Sequence, residues 1–165
     1  MLLDLTVINS VAYDFWPVQP ITALRTPVLR FFMMASFDLG TFKLVVKRGL
    51  YHKERMTDEL MNLFSAPMNT TEGRKAFLHF AKCLDNHNLM EIESDLRELA
   101  VPLLIIRGDA DRYLGAAISE RLHREVRRSR LVRIPTGGHF IQEDEPERIV
   151  QELITFLGGK HATAG

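Results

Sequence analysis

The chain of 165 residues is 46% hydrophobic and 25% charged, which is an ordinary composition for one globular domain. Its 21 basic and 21 acidic residues cancel, so the charge balance does not indicate binding to nucleic acid or to an anionic membrane. A single cysteine, Cys83, excludes an internal disulfide, and we expect a cytoplasmic protein. The N-terminus lacks the basic region of a secretory signal, and no apolar run approaches the roughly 18 residues of a membrane span.

The chain begins with a predicted strand and an aromatic loop. Residues 2–9, which start at Leu2 and end at Asn9, are mostly apolar and become β-branched towards their end, a pattern that indicates a β-strand. Residues 10–17 follow as a loop that contains Tyr13, Asp14 and Trp16. Two large aromatic rings and a carboxylate are therefore placed just after the first strand.

Residues 20–91 have a different character, with apolar residues at helical spacing and little strand signal. The pattern predicts a helix at residues 42–50 that ends near Gly49, a second at residues 54–64, and a third that opens at Thr70. Pro67 separates the last two helices, because proline is poorly tolerated inside a helix. We therefore predict a helical region between the first strand and the rest of the sheet.

A second strand is predicted at residues 101–106, which form an apolar, mostly branched run that ends at Gly108. Asp109 and Asp111 follow at once, so a carboxylate leaves the strand at its carboxyl end, where ligands bind in open α/β sheets. Residues 116–126 then form an amphipathic helix that leads to the next strand.

A third short strand, residues 131–134, runs into a loop with Gly137 and Gly138, and His139 lies at the tip of that loop. An acid at the end of one strand and a histidine after the next can meet at the same edge of a parallel sheet. We therefore expect Asp111 and His139 to form the acid–base part of a nucleophilic triad.

These motifs resemble the last third of the α/β-hydrolase fold. The G-D-A-D at residues 108–111 matches the acid motif of that family, and the G-H-F at residues 138–140 matches its histidine loop. Residues 145–157 match its closing helix. The resemblance implies an α/β fold: a truncated hydrolase sheet, made of strands six to eight of the family, with a helical cap.

The same resemblance implies how the chain is divided into parts. Residues 1–19 and 92–158 would be the hydrolase core, residues 20–91 the cap, and residues 159–165 a frayed tail. Residues 2–9 would be the sixth strand of the family's sheet, which normally follows five others. We therefore expect that an N-terminal half is missing from the core.

The resemblance also implies roles for individual residues. Asp111 would be the triad acid and His139 the base. Tyr13, Trp16 and Phe140 would line the substrate pocket, although Tyr13 and Trp16 are more readily explained by packing under the cap. Two alternatives for the acid remain open. In the first, Asp109 of the same motif is the acid and Asp111 only closes a turn. In the second, the acid is near Asp14, because some haloalkane dehalogenases place it after strand six.

The nucleophile of the family normally lies in a G-x-S-x-G elbow between a strand and a helix. None of the six serines of this chain has glycines two residues to either side. They are Ser10, Ser36, Ser65, Ser94, Ser119 and Ser129. The histidines show no spacing typical of a metal site, and the resemblance implies no cofactor. Only the acid and the base of a triad are therefore expected here.

Two functions from different classes follow. The first is a hydrolase of small molecules with ester, amide, epoxide or carbon–halogen bonds, inactive or nearly so until an N-terminal half supplies the nucleophile. The second is a non-catalytic fragment or half-protein. It would associate with a partner chain, or with itself, through the exposed edge of the strand at residues 2–9.

Overall fold

The computed structural model describes residues 2–14 and 26–158. Three strands lie within these ranges: β1 (Leu5–Ile8), β2 (Leu103–Gly108) and β3 (Ser129–Ile134). The α-helices are α1 (Pro27–Asp38), α2 (Thr41–Gly49), α3 (Asp58–Ser65), α4 (Thr71–Cys83), α5 (Asn86–Glu91), α6 (Glu93–Arg97), α7 (Ala116–Glu125), α8 (Ile141–Asp144) and α9 (Pro146–Gly158). Short 3-10 turns at Lys53–Arg55 and Ala66–Asn69 flank α3. Within the described ranges, no helix combines the length and the apolar character needed to cross a bilayer.

The three strands form one parallel sheet in the order β1-β2-β3. Leu5 pairs with Leu103, and Leu103 pairs with Ser129, so all three strands start at nearly the same level. Their carboxyl ends therefore lie side by side. This arrangement confirms the α/β class and brings the loops after the three strands to one edge of the sheet.

The central strand β2 is buried on both faces, which explains why its sequence is apolar throughout instead of alternating. Leu103 and Ile105 pack on one face against α7, whereas Leu104 and Ile106 pack on the other against β3, α8 and α9. Leu104 is fully buried. Two hydrophobic layers thus fix β2, and with it the acid motif that follows.

The region between β1 and β2 contains the three predicted helices, but the second begins later than predicted, at Asp58, because Lys53–Arg55 forms a 3-10 turn. The Thr70 hydroxyl accepts a hydrogen bond from the backbone N–H of Gly73 at 3.0 Å and so caps α4 as expected. Gly49 ends α2 and is buried against the ring of Phe140. The predicted cap at residues 20–91 and the tail at residues 159–165 are described only in part, because residues 15–25 and 159–165 lie outside the described ranges.

The first strand is shorter than predicted. It ends at Ile8, because Asn9 has a φ of 40°, in the left-handed region that does not continue a strand. Asn9 instead turns its side chain towards the loops at the ends of β2 and β3. The residue that stops the strand is therefore also a contact point for the candidate site.

Candidate active site

Asp111 lies in the turn after β2, and its two carboxylate oxygens have different partners. Oδ1 accepts hydrogen bonds from the backbone N–H groups of Tyr113 at 2.7 Å and Leu114 at 3.0 Å. Oδ2 faces His139 Nδ1 at 3.0 Å. The sequence left open whether Asp111 closes a turn or contacts His139. In the structure, the same carboxylate does both.

The surroundings of Asp111 favour its ionised form. Its side chain is fully buried, and burial, the largest single influence, acts to raise the pKa of the carboxyl group. The hydrogen bond from His139 and those from the two backbone N–H groups together outweigh burial and hold the pKa below its usual value. A buried carboxylate that accepts three hydrogen bonds is therefore presented to the imidazole.

His139 is oriented by a hydrogen bond on its Nδ1 side and by two neighbouring aromatic rings. An ionised carboxylate can only accept, so Nδ1 of His139 carries the proton that lies between the two residues. The rings of Tyr113 and Phe140 pack edge-to-face against the imidazole, with centroids 5.0 and 5.1 Å away. Nε2 makes no hydrogen bond with any part of the chain that the structure describes, and the side chain is 29% exposed. Nε2 is thus left as the acceptor that a general base needs.

The backbone of the histidine loop is held from both sides. The N–H of His139 donates to the carbonyl oxygen of Gly49 at the end of α2, at 2.6 Å. The Asn9 amide Nδ2 donates to the carbonyl oxygens of Gly138 and His139 at 2.7 and 2.8 Å, and its Oδ1 accepts from Gly108 N–H at 2.9 Å. Asn9 therefore ties the ends of all three strands together.

Asp144, at the end of α8, is a further buried group that the sequence motifs did not reveal. It is completely buried, and its carboxylate accepts from the backbone N–H groups of Gly138, Tyr51 and His52. It lies in the run Glu143, Asp144, Glu145, which reads as a solvated acidic stretch. The only signal in the sequence is its position five residues after His139.

The two alternative acids lie elsewhere. Asp14 is exposed and accepts a hydrogen bond from the side-chain amide of Asn86. Asp109 pairs with Arg133, whose Nε lies 2.9 Å from its Oδ1. The structure therefore brings Asp111, and neither Asp109 nor Asp14, into hydrogen-bonding contact with His139.

The three residues expected to line a pocket have different positions. Tyr13 is fully buried in the core beside α7, with the Arg121 guanidinium 3.8 Å above its ring, and burial raises the pKa of its hydroxyl to about 12. Among the described residues it packs the core with no exposed surface, as the packing alternative expects. Phe140 is half-buried and packs against Phe64 of α3, with ring centroids 4.8 Å apart. Trp16 lies outside the described residues.

No metal site accompanies this arrangement in residues 2–14 and 26–158. These residues contain no group of three or more histidine, cysteine, aspartate or glutamate side chains that could hold an ion. The contact between Asp111 and His139 Nδ1 leaves Nε2 of the imidazole able to take part in proton transfer.

The sequence pattern of the Alpha/beta hydrolase family matches residues 3–152, which is most of the chain. The chain therefore belongs to this family, as the acid and histidine motifs indicated. The parallel sheet and the adjoining strand-end loops described above are the structural counterpart of that match.

Three proteins illustrate the similarity. The uncharacterized hydrolase YugF of Bacillus subtilis is 26% identical over 109 residues, which are 66% of this chain and 38% of that protein. A haloalkane dehalogenase of Bradyrhizobium diazoefficiens is 25% identical over 126 residues, 72% of this chain and 40% of that protein. The crystal structure of an α/β-hydrolase fold protein from Burkholderia ambifaria superposes with a TM-score of 0.79 at 22% identity, over 92% of this chain and 56% of that one.

The chain spans only part of the proteins it matches. The matched residues cover 38% and 40% of the two curated relatives and 56% of the solved structure. At 22% identity, the solved structure supports the fold alone. The activity of the whole protein is therefore a matter for proposal.

Proposed function

We propose that this chain supplies the acid and the base of a nucleophile–histidine–acid triad in a hydrolase of small molecules. Asp111 orients His139, and His139 activates a nucleophile or a water molecule carried by a segment that the 165-residue sequence does not contain. The observation that supports this most directly is the 3.0 Å contact between His139 Nδ1 and Asp111 Oδ2, with Nε2 left without a partner in the described residues.

The proposed chemistry follows from that geometry. With the proton on Nδ1, Nε2 accepts a proton from a hydroxyl nucleophile and passes it to the leaving group of an ester or amide. With a carboxylate nucleophile, halide leaves as the carboxylate attacks and takes no proton, and Nε2 accepts a proton from the water that hydrolyses the covalent intermediate. Asp111 stabilises the imidazolium that forms in between. Both roles suit ester, amide, epoxide or carbon–halogen substrates, and the identity of the nucleophile decides among them, since serine suits esters and amides whereas aspartate suits epoxides and carbon–halogen bonds.

The experiment is a chimera. The part of the Bradyrhizobium haloalkane dehalogenase that precedes its matched region would be fused in front of Leu2. Release of halide from a haloalkane and hydrolysis of p-nitrophenyl acetate would then be measured. We expect activity in the chimera, little or none in the 165-residue chain alone, and a loss of about 100-fold or more in His139→Ala, the range for removing a general base.

Matched carboxylate variants separate the candidate acids. Asp111→Asn should reduce chimera activity by up to about 10⁴-fold, because an asparagine favours the wrong imidazole tautomer. Asp109→Asn and Asp14→Asn remove the same charge outside the histidine contact and should retain most of the activity. An active chimera that is indifferent to His139→Ala, or a 165-residue chain that turns over p-nitrophenyl acetate through His139, would contradict the proposal.

A second candidate function is association with another chain, and two exposed features favour it. Strand β1 lies at the edge of the sheet and pairs only with β2 among the described strands. On α9, Val150, Ile154 and Leu157 form an exposed apolar stripe, with exposures of 52%, 62% and 47%. An unpaired strand edge and an apolar helix face are surfaces that another chain can cover.

The edge can be blocked without disturbing the sheet. The N–H of Leu5 donates to the carbonyl oxygen of Pro102, just before β2, and the N–H of Asn9 donates to that of Ile106. Because N–H groups alternate in direction along a strand, the N–H of Thr6 points away from β2. Thr6→Pro removes that donor, and Thr6→Val is its control. Size-exclusion chromatography with light scattering over a concentration series should show association in the wild type and the control, but not in Thr6→Pro. A well-folded wild-type monomer at every concentration would contradict this function.

A further inference from the structure

We propose that Asp144 is a positioning residue that makes the alignment of His139 depend on the docking of the helical region between β1 and β2. The inference rests on the proposed function of His139. It adds a link between the base and the segment that leaves α2, through a carboxylate that does not touch the imidazole.

The contacts of Asp144 are unusual for an acidic side chain. Oδ1 accepts from the backbone N–H of Tyr51 at 3.0 Å and of His52 at 2.8 Å. Oδ2 accepts from Tyr51 N–H at 2.9 Å and from Gly138 N–H at 2.8 Å. All of these donors are backbone groups, so the carboxylate joins two chain segments that are far apart in sequence.

One of those segments carries the base. Gly138 immediately precedes His139, and the N–H of His139 donates to Gly49 O, so the histidine loop lies directly on the end of α2. A Cβ at Gly138 would overlap Gly49 O and lie 2.8 Å from the nitrogen of Tyr51. The loop and the helix end are therefore in contact without space for a side chain between them.

The other segment belongs to the helical region. Tyr51 and His52 follow α2 and lead into the 3-10 turn Lys53–Arg55. The Arg55 guanidinium donates to the carbonyl oxygen of Glu143, at 3.1 Å, which adds a second contact between the same two segments. If this part of the helical region moves away, the histidine loop loses the partners of its carboxylate anchor.

The electrostatics explain why a buried carboxylate is tolerated here. A buried charge is costly unless it is hydrogen-bonded, and each oxygen of Asp144 accepts from two N–H groups. Lys53 lies close enough for its charge to interact favourably with Asp144, although burial, the dominant influence, lowers the pKa of that lysine. Neutral residues cannot replace this arrangement, since an amide offers only one accepting oxygen.

The test uses the full 165-residue chain and follows the imidazole itself. In Asp144→Asn, one amide NH₂ must face an N–H donor. We expect amide exchange at Gly138 or His52 to accelerate at least tenfold and the ¹⁵N signals of His139 to shift towards a mixture of tautomers. Glu143→Gln is the charge-matched control and should leave both unchanged. The signals of His123 serve as the reference for a general loss of stability, because its Nδ1 lies beside the Ser129 hydroxyl, away from the histidine loop.

A second pair of variants keeps the carboxylate and alters one donor. His52 has a φ of −81°, which proline can adopt. His52→Pro removes the N–H that donates to Asp144 and places the proline ring carbon against Oδ1, so it replaces this hydrogen bond with a repulsive contact, whereas His52→Ala removes only the imidazole. We expect the His139 signals to shift in His52→Pro in the same direction as in Asp144→Asn, because both changes disturb the carboxylate anchor, and to stay in place in His52→Ala.

The outcomes separate this inference from the proposed function. A folded Asp144→Asn chain with wild-type His139 signals would overturn the inference. An Asp144→Asn chain with a lower melting temperature, in which the ¹⁵N signals of His139 change no more than those of His123, would also overturn it. If Asp144→Asn does not fold, identical His139 spectra in His52→Pro and His52→Ala would overturn it. The proposed function fails by a different result, an active chimera that does not need His139.

Discussion

Replacing Asp111 by asparagine removes one charge from a fully buried side chain while keeping its shape. The Oδ1 carbonyl can still accept from Tyr113 and Leu114, so the turn is preserved. The other atom becomes an NH₂ group that faces the protonated Nδ1 of His139. The change therefore breaks one charge-assisted hydrogen bond and forces the imidazole to exchange its tautomer or to turn away.

The expected loss of stability follows from that one bond. A hydrogen bond to a charged group contributes about 1.5–3 kcal/mol, and the exposed Nε2 side of the ring lets it adapt in part. We therefore expect the free energy of unfolding at pH 7 to fall by about 1–3 kcal/mol. For a chain of this size, each kcal/mol corresponds to about 2–4 °C in melting temperature.

The pH dependence has a definite sign. The pKa of Asp111 is lower in the folded chain than in the unfolded one, so the folded form holds the ionised carboxylate to lower pH. The stabilisation is fully present above the unfolded pKa, about 3.9, and is lost as the pH falls through the folded value. The contribution of the Asp111 charge to the difference in stability between wild type and Asp111→Asn should therefore be fully present above about pH 4 and be lost below it.

Urea unfolding at a series of pH values measures this difference. Asp109→Asn is the control, because Asp109 forms a partly exposed pair with Arg133, and such pairs contribute about 0–1 kcal/mol. Equal losses in the two variants at pH 7 would refute the reasoning. The reasoning would also be refuted if the loss of unfolding free energy in Asp111→Asn stayed unchanged at the lowest pH at which both chains fold.

Other predictions concern the elements that place the site. Leu104→Ala should destabilise the fold by about 2–5 kcal/mol in urea titrations, because Leu104 is fully buried, whereas Leu44→Ala, at a 65% exposed position, should change stability by less than about 0.5 kcal/mol. Gly138→Ala should displace the histidine loop and lower chimera activity at least tenfold, because the added Cβ overlaps backbone atoms. Gly115→Ala is the control, since its Cβ enters open space and should leave the activity unchanged. Equal activities in the two variants would contradict this prediction. Asn9→Gly keeps the left-handed backbone but loses one hydrogen bond to the end of β2 and two to the histidine loop, so we expect the free energy of unfolding to fall by about 2–4 kcal/mol in thermal unfolding. No loss would show that these bonds are dispensable.

Much of the sheet could be read from local sequence. The run that becomes β2 is apolar on both faces, and its glycine and aspartates mark where it ends. The helix α7 follows the predicted periodicity, with Ile118 and Leu122 buried against β2. These features depend on neighbours in the chain, which is why composition and spacing were sufficient.

The acid–base pair could be predicted because its two members lie at the ends of adjacent parallel strands. The division of roles between the two oxygens of Asp111 could not be predicted. Oδ1 accepts from the turn, and Oδ2 contacts His139. The position of Tyr13 could not be predicted either. An aromatic residue in a loop after a strand is compatible with a pocket or a core, and only the packing against α7 decides.

The sequence motifs did not identify the side chains that anchor the histidine loop. Asp144 accepts from backbone N–H groups more than 90 positions away in the chain, as well as from Gly138. Backbone donors leave no mark in the amino-acid sequence, so no motif reports such a contact. Asn9 is similar, because its role depends on a left-handed backbone and on three long-range partners.

The central claim is that Asp111 holds His139 with its proton on Nδ1 and its Nε2 free to accept. A long-range ¹H–¹⁵N correlation spectrum of the isotopically labelled chain, in the neutral range of the imidazole, measures this directly. We predict a protonated Nδ1 and an unprotonated Nε2 for His139 in the wild type and in Asp14→Asn, and loss of that pattern in Asp111→Asn. A wild-type His139 protonated at Nε2, or a pattern that responds to Asp14→Asn and not to Asp111→Asn, would contradict the account.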